Sequence, residues 1–136
     1  RDALELARVF AEVADRSTVH VTLESIHGAS CRKWHTDRVG LRMIVTYFGS
    51  GTLCAEASGV DRSWLGSVAH DLEETNRRIV FDAACIVEAC AGDVLLCKGD
   101  TFVGETESGL VHRSPWPAAA GPGRLLLRID ERGCRE

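Results

Sequence analysis

Lysine is almost missing from this chain. Lys33 and Lys98 are the only two, the arginines are scattered, and the net charge is −4. That balance argues against a nucleic-acid partner, because phosphate contacts need grouped Lys and Arg. Long apolar runs are missing as well. None reaches the roughly 18 residues of a membrane span, and no signal-peptide pattern opens the sequence, so no membrane partner is expected and the location is read as cytoplasmic. The first residue is Arg1 rather than an initiator methionine, so the chain is read as N-terminally trimmed. Six cysteines are present, yet no two form a C-x-x-C pair. This removes support for a zinc-finger or thioredoxin-type site, and six are too few here for a disulfide-built scaffold. They are read as reduced thiols packed as small hydrophobes. Two further motifs are incomplete. "FGSGT" has no lysine or following helix of a phosphate loop and reads as a hairpin turn, and Ser114 in "HRSP" lacks the G-x-S-x-G elbow of a hydrolase.

What remains is an ordinary globular composition over 136 residues, 45% hydrophobic and 26% charged, enough for one domain with one core. "DALELARVFAEVADR" places Leu4, Ala7, Val9, Phe10, Val13 and Ala14 near helical spacing, with Asp2 as N-cap and an end near Arg16. The period then changes to two. Val19, Val21 and Leu23 alternate with polar residues, as in a half-buried strand, and "LRMIVTY" is a second β-rich run. "CIVEAC" and "VLLCKGD" read as a hairpin around "AGD". "GLVHRSP" and "RLLLRID" are two more short strands, parted by "WPAAAGPG", and Trp116–Pro117 is expected at a pocket rim. Residues 57–82, with "HDLEETNRR" as one helical turn or a long loop, have no clear place. A helix followed by six to eight short strands predicts a single mainly β domain over 1–136, an all-β sandwich or jelly roll with the N-terminal helix packed on one sheet.

His35 and Asp37, in "KWHTDRVGLRMIVTY", are two positions apart. On a strand such residues leave the same face, so both can reach one metal ion. H-x-D also arises by chance, and a surface pair at a strand end is the plainer reading. A distant His112 in "GLVHRSPW" would complete a two-His-one-carboxylate iron site with open coordination positions. Its ligand atoms should then converge to about 3–4 Å of one another, given metal–ligand bonds near 2 Å. Beyond it, "GRLLLRID" carries Arg124 and Arg128. A planar guanidinium there suits the carboxylate of a 2-oxoacid, and spacing favours Arg124; both can equally be surface arginines. His20 and His27 are read as solvated, and His70 beside Asp71 repeats the pair without a strand to orient it. Cys31 or Cys97 joining the histidines would instead suit zinc.

The order H-x-D, "RMIVTY", "GDVLLCKGD", "VHRSP", "RLLLRID" resembles the double-stranded β-helix of Fe(II)- and 2-oxoglutarate-dependent dioxygenases, particularly the prolyl-hydroxylase-like group. "CRKWHTDRVGLRMIVTYFGSGT" with "KGD…LVHRSP…RLLLRID" is more closely similar to the bacterial family catalogued as domain of unknown function 1826. The dioxygenase resemblance implies Fe(II) held by His35, Asp37 and His112, and 2-oxoglutarate anchored by Arg124 with help from Tyr47, which ends the apolar row of Leu41, Met43 and Val45 and reads equally as a core tyrosine with its hydroxyl at the rim. It implies hydroxylation of a small-molecule or protein substrate that the sequence does not identify. Related sequences tend to carry an aromatic residue soon after the glycine turn, where this chain has Cys54. The alternative function is a non-catalytic zinc- or iron-binding β-barrel linked to metal homeostasis.

Overall fold

Helix α1 spans Asp2–Val13 in the computed structural model, which describes residues 1–28, 30–67, 71–104, 109–116, 121 and 123–131. Its apolar stripe buries Phe10 completely. The helix stops short of Arg16, because Asp15 adopts a left-handed conformation (φ 52°) that cannot continue a right-handed helix. Arg1, not Asp2, is the N-cap; Asp2 is the first helical residue, and its carboxylate accepts a hydrogen bond from the Tyr47 hydroxyl.

Three strands follow, β1 (Val19–Ile26), β2 (Leu41–Phe48) and β3 (Thr52–Ala55). Helix α2 (Leu72–Ile79) comes next, then β4 (Ile86–Ala89), β5 (Val94–Lys98), β6 (His112–Arg113) and β7 (Arg124–Glu131). All pairing is antiparallel. One sheet has the order β1-β7-β2-β5 and the other β4-β3-β6. The fold is therefore mainly β, two sheets with two helices, and it forms no closed barrel among the described residues.

Two expected hairpins turn out to be crossings between sheets. β2 is already paired on both edges, with β7 and β5, so the turn at 49–51 delivers the chain to the other sheet. The "AGD" turn does the same, carrying the chain from β4, which pairs with β3, to β5, which pairs with β2. A glycine turn reverses the chain but does not choose its ladder partner. Helix α2 corrects the reading of 71–79 as a single turn or loop. Asp71 caps it by accepting from Glu73 N (2.9 Å), and Glu74 pairs with Arg77 and Arg78 one turn on.

The strands' alternation sorts the interior into layers. Met43 and Val45 of β2 and Leu127 and Ile129 of β7 face α1 and pack on Phe10. Each such fully buried side chain contributes about 1.5–3 kcal/mol from burial. Their neighbours Ile44 and Leu126 point the other way, toward the small sheet, where Cys97 joins them. The far side of the small sheet packs Ala55 and Val111 with Trp34 against Ile79 and Val80. Between the sheets lies a cavity of about 440 Å³. Among the described residues no helix is long and apolar enough to cross a membrane, and the five described cysteines are all free. Cys134 and His70 lie outside those residues.

Candidate metal centre

His35 is placed by main-chain pairing rather than by a strand of its own. His35 N donates to His112 O and His112 N to His35 O, each at 3.0 Å, forming an isolated antiparallel bridge. Residues that exchange both bonds point their side chains to one face. The two rings accordingly meet, with centroids 4.6 Å apart. β6 is held in turn by β3, where Cys54 lies opposite His112.

The segment before His35 is fastened by the 57–82 region. Asn76 of α2 accepts from Trp34 N and donates to Arg32 O, both at 3.0 Å, and Lys33 Nζ donates to the carbonyls of Leu65 and Ser67. These residues are a scaffold for the H-x-D segment. Asp37 is fixed from its other side. Asp100 N donates to Asp37 O (2.8 Å), and Gly99 packs so closely that an added Cβ would run into the Val39 carbonyl.

His35, Asp37 and His112 thus converge, their ligand atoms all within 4.8 Å of one another. His112 Nε2 is 3.3 Å from Asp37 Oδ2, and His35 Nε2 is 3.9 Å from Oδ1. The widest spacing exceeds the 3–4 Å expected of bound ligands, so a cation would draw the side chains inward. Both imidazoles have a fixed tautomer. His35 Nδ1 sits 2.8 Å from Lys33 O, and His112 Nδ1 sits 3.0 Å from Leu110 O. A carbonyl only accepts, so each Nδ1 carries a hydrogen and Nε2 is the ring atom turned toward Asp37. Histidines that ligate metals are commonly oriented this way.

The electrostatics agree with that geometry. Burial lowers the His35 pKa and the nearby His112 lowers it further, favouring the neutral ligand. Burial works against ionised Asp37, but the His112 contact, with Arg42 and His35 nearby, outweighs it and brings Asp37 down to about 2. Asp37 Oδ2 is buried without a hydrogen-bond partner. A buried carboxylate oxygen without a hydrogen-bond partner, grouped with one nitrogen from each of two imidazoles, is a donor set that fits a divalent transition-metal ion. Among the described residues the convergent group contains no cysteine. Burial pushes Cys97 up to about 12 and Cys54 up to about 11 in the metal-free protein, and Cys31 Sγ lies 3.5 Å from the Nδ1 side of His35.

Arg124 lines the same cavity. Its side chain is buried, donating to the hydroxyls of Thr46 (3.0 Å), Thr52 and Ser114 (3.4 Å). Among the described residues no carboxylate lies within ion-pair distance of it. Arg128 lines the cavity too, with Nε 3.4 Å from Asp130. Tyr47 is the expected site residue that the structure leaves out. It follows Leu41, Met43 and Val45 on the helix-facing side of β2, packs against the α1 core and bonds to Asp2. The cavity is served by the opposite face, from Arg42 and Ile44. Trp116 is half exposed beneath Arg32 and does not line the cavity; Pro117 lies outside the described residues. His20 and His27 are exposed, as expected. Sequence reasoning missed Arg42, Asp130, Thr46 and Thr52. The signal of Arg42, Thr46 and Asp130 was present as the polar alternation of β2 and β7, which is read more readily as solvent-facing, whereas Thr52 opens β3.

The chain belongs to the family described as "Protein of unknown function (DUF1826)", whose model matches residues 1–130. No curated protein and no solved structure matches it.

Proposed function

We propose that this protein is an Fe(II)- and 2-oxoacid-dependent oxygenase, and that its two sheets are a form of the double-stranded β-helix. One observation carries the reading: a single cavity contains both the His35–Asp37–His112 cluster and a buried arginine that, among the described residues, pairs with hydroxyls and with no carboxylate. A ferrous ion, when bound, supplies the redox chemistry with dioxygen and open positions for the 2-oxoacid. His35, Asp37 and His112 would hold it. Arg124, oriented by Thr46, Thr52 and Ser114, receives the far carboxylate of the 2-oxoacid; three hydroxyls steer a guanidinium without cancelling its charge. In balance, the 2-oxoacid loses CO₂ and becomes the acid one carbon shorter, taking one oxygen atom. The other oxygen becomes a hydroxyl on the substrate carbon. The sheet crossings at 49–51 and around "AGD" support the jelly-roll reading, since such folds build two facing sheets from strands that alternate between them.

An anaerobic Fe(II) titration with and without 2-oxoglutarate tests the proposal. A visible charge-transfer band is expected only with both, and it should be lost in His112→Ala and weakened in Arg124→Met. A wild-type protein without the band refutes the oxygenase. Zinc retained through purification, with no 2-oxoglutarate binding, would instead identify a metal-holding protein without turnover.

A further inference from the structure

Arg42 and Asp130 are directly opposite each other across β2 and β7, so their side chains share the cavity face of the large sheet. Both are buried. Arg42 Nε and Nη2 bind the two carboxylate oxygens of Asp130 at 2.5 and 3.2 Å, a fork-on-fork pairing. The remaining arm, Nη1, reaches Asp37 Oδ1 at 2.8 Å. One oxygen of Asp37 is therefore occupied, and the other, Oδ2, is buried without a hydrogen-bond partner on the side of His112.

Resting on the metal-site reading above, we infer that Arg42, locked by Asp130, is a positioning residue that makes Asp37 a one-oxygen ligand through Oδ2. Two arguments support it. A carboxylate with both oxygens free can swing to bind a metal through either or both, which consumes a coordination position. Arg42 removes that freedom, because its own orientation is set by two bonds to Asp130. The second argument concerns charge. A lone guanidinium this close to a cation would repel it. The Asp130 carboxylate, which Arg128 Nε also approaches at 3.4 Å, offsets that charge, so the clamp restrains Asp37 with less repulsion of a cation than a lone guanidinium would cause. Lysine cannot replace this device, since one ammonium has no planar fork to span two carboxylates.

Cobalt(II) is a suitable probe, because its visible absorption reports coordination number without any turnover. The test compares wild type with Arg42→Met/Asp130→Asn, which removes one charge of each sign and so leaves the net charge of the site unchanged. Cobalt affinity is expected to fall roughly 10- to 100-fold, the usual effect of losing a group that orients a ligand. The absorption band should change as Asp37 gains freedom. Arg42→Lys, which keeps the charge and a possible contact to Asp37, should lie between the two. It also serves alone if the double variant does not fold. A purely structural role would lower the unfolding temperature of the metal-free protein but leave cobalt affinity within about twofold of wild type and the band unchanged; that result overturns the inference. A wild type that takes up no cobalt fails earlier, and refutes the metal site with it.

Discussion

Replacing Arg124 by methionine separates the 2-oxoacid reading from a purely structural one. Arg124 is 8% exposed, burial lowers its pKa, and its guanidinium donates to the neutral hydroxyls of Thr46, Thr52 and Ser114. If it receives a carboxylate, the variant loses a charge-assisted contact in a largely dry site. Truncating one side of such a pair costs about 2–5 kcal/mol. The cavity opens to solvent, so the lower part of that range applies, roughly a 30- to 300-fold loss in affinity. Calorimetric titration of manganese-loaded protein with 2-oxoglutarate, without oxygen, measures this directly. Pyruvate supplies the internal control: it has the same 2-oxoacid head but no far carboxylate. Wild type should prefer 2-oxoglutarate to pyruvate, and Arg124→Met should abolish the preference by weakening 2-oxoglutarate alone. The metal-free variant should unfold within a few degrees of wild type, because a buried charge adds little stability where burial outweighs its attraction to the nearby carboxylate, here Glu88. The reasoning is refuted if the preference survives, or if pyruvate binding falls in parallel.

Three other outcomes follow from the frame around the cluster. Gly99→Ala should displace the Asp37 segment, since the new Cβ would meet the Val39 carbonyl and lie 2.7 Å from Asp37 O. Urea unfolding should show about 1–3 kcal/mol of lost stability together with weaker cobalt binding, whereas Gly66→Ala, where a Cβ meets nothing within 4 Å, should change neither. Asn76→Leu strands Trp34 N and Arg32 O, and a loss of about 2–4 kcal/mol in the same assay is expected; an unchanged midpoint would show that α2 does not hold the His35 segment. Acid sensitivity should come in two windows. The pKa of His35 is lowered on folding, so the unfolded chain takes up its proton first, and stability falls as pH drops below about 6.5. Asp37, held at about 2, adds stability above about pH 4 that is lost as pH falls toward 2. Denaturation of metal-free His35→Gln between pH 7 and 5 should lack the first decline, and a decline identical to wild type would contradict that assignment.

The candidate ligands were legible because few side chains can do their work. His35, Asp37 and His112 stood out by type and spacing. The apolar faces of α1, β2 and β7 were legible because burial against one partner leaves a period of 3.6 or two. Ladder partners were not legible, because pairing is decided by the whole sheet. "CIVEAC" and "VLLCKGD" have the sequence of a hairpin, yet each finds its edge elsewhere. Residues 72–79 are too short to declare themselves by period, and their helix is stabilised by its Asp71 cap and by packing of Ile79. The harder failure concerns which face of β2 meets the cavity. Arg42, Ile44 and Thr46 alternate with an apolar row, which is also the pattern of a strand with one side in water. A polar cavity between two sheets writes the same pattern, and local sequence does not distinguish them. Tyr47 was assigned to the site because it ends the apolar row. That row is the core side, against α1. The distinction lies in residues far apart along the chain. Arg42 and Asp130 are 88 positions apart and read singly as surface charges, yet across the β2–β7 register they form a buried pair. Two opposite charges on the apparently wet face of neighbouring central strands are therefore a better sign of an internal polar site than either strand's own alternation.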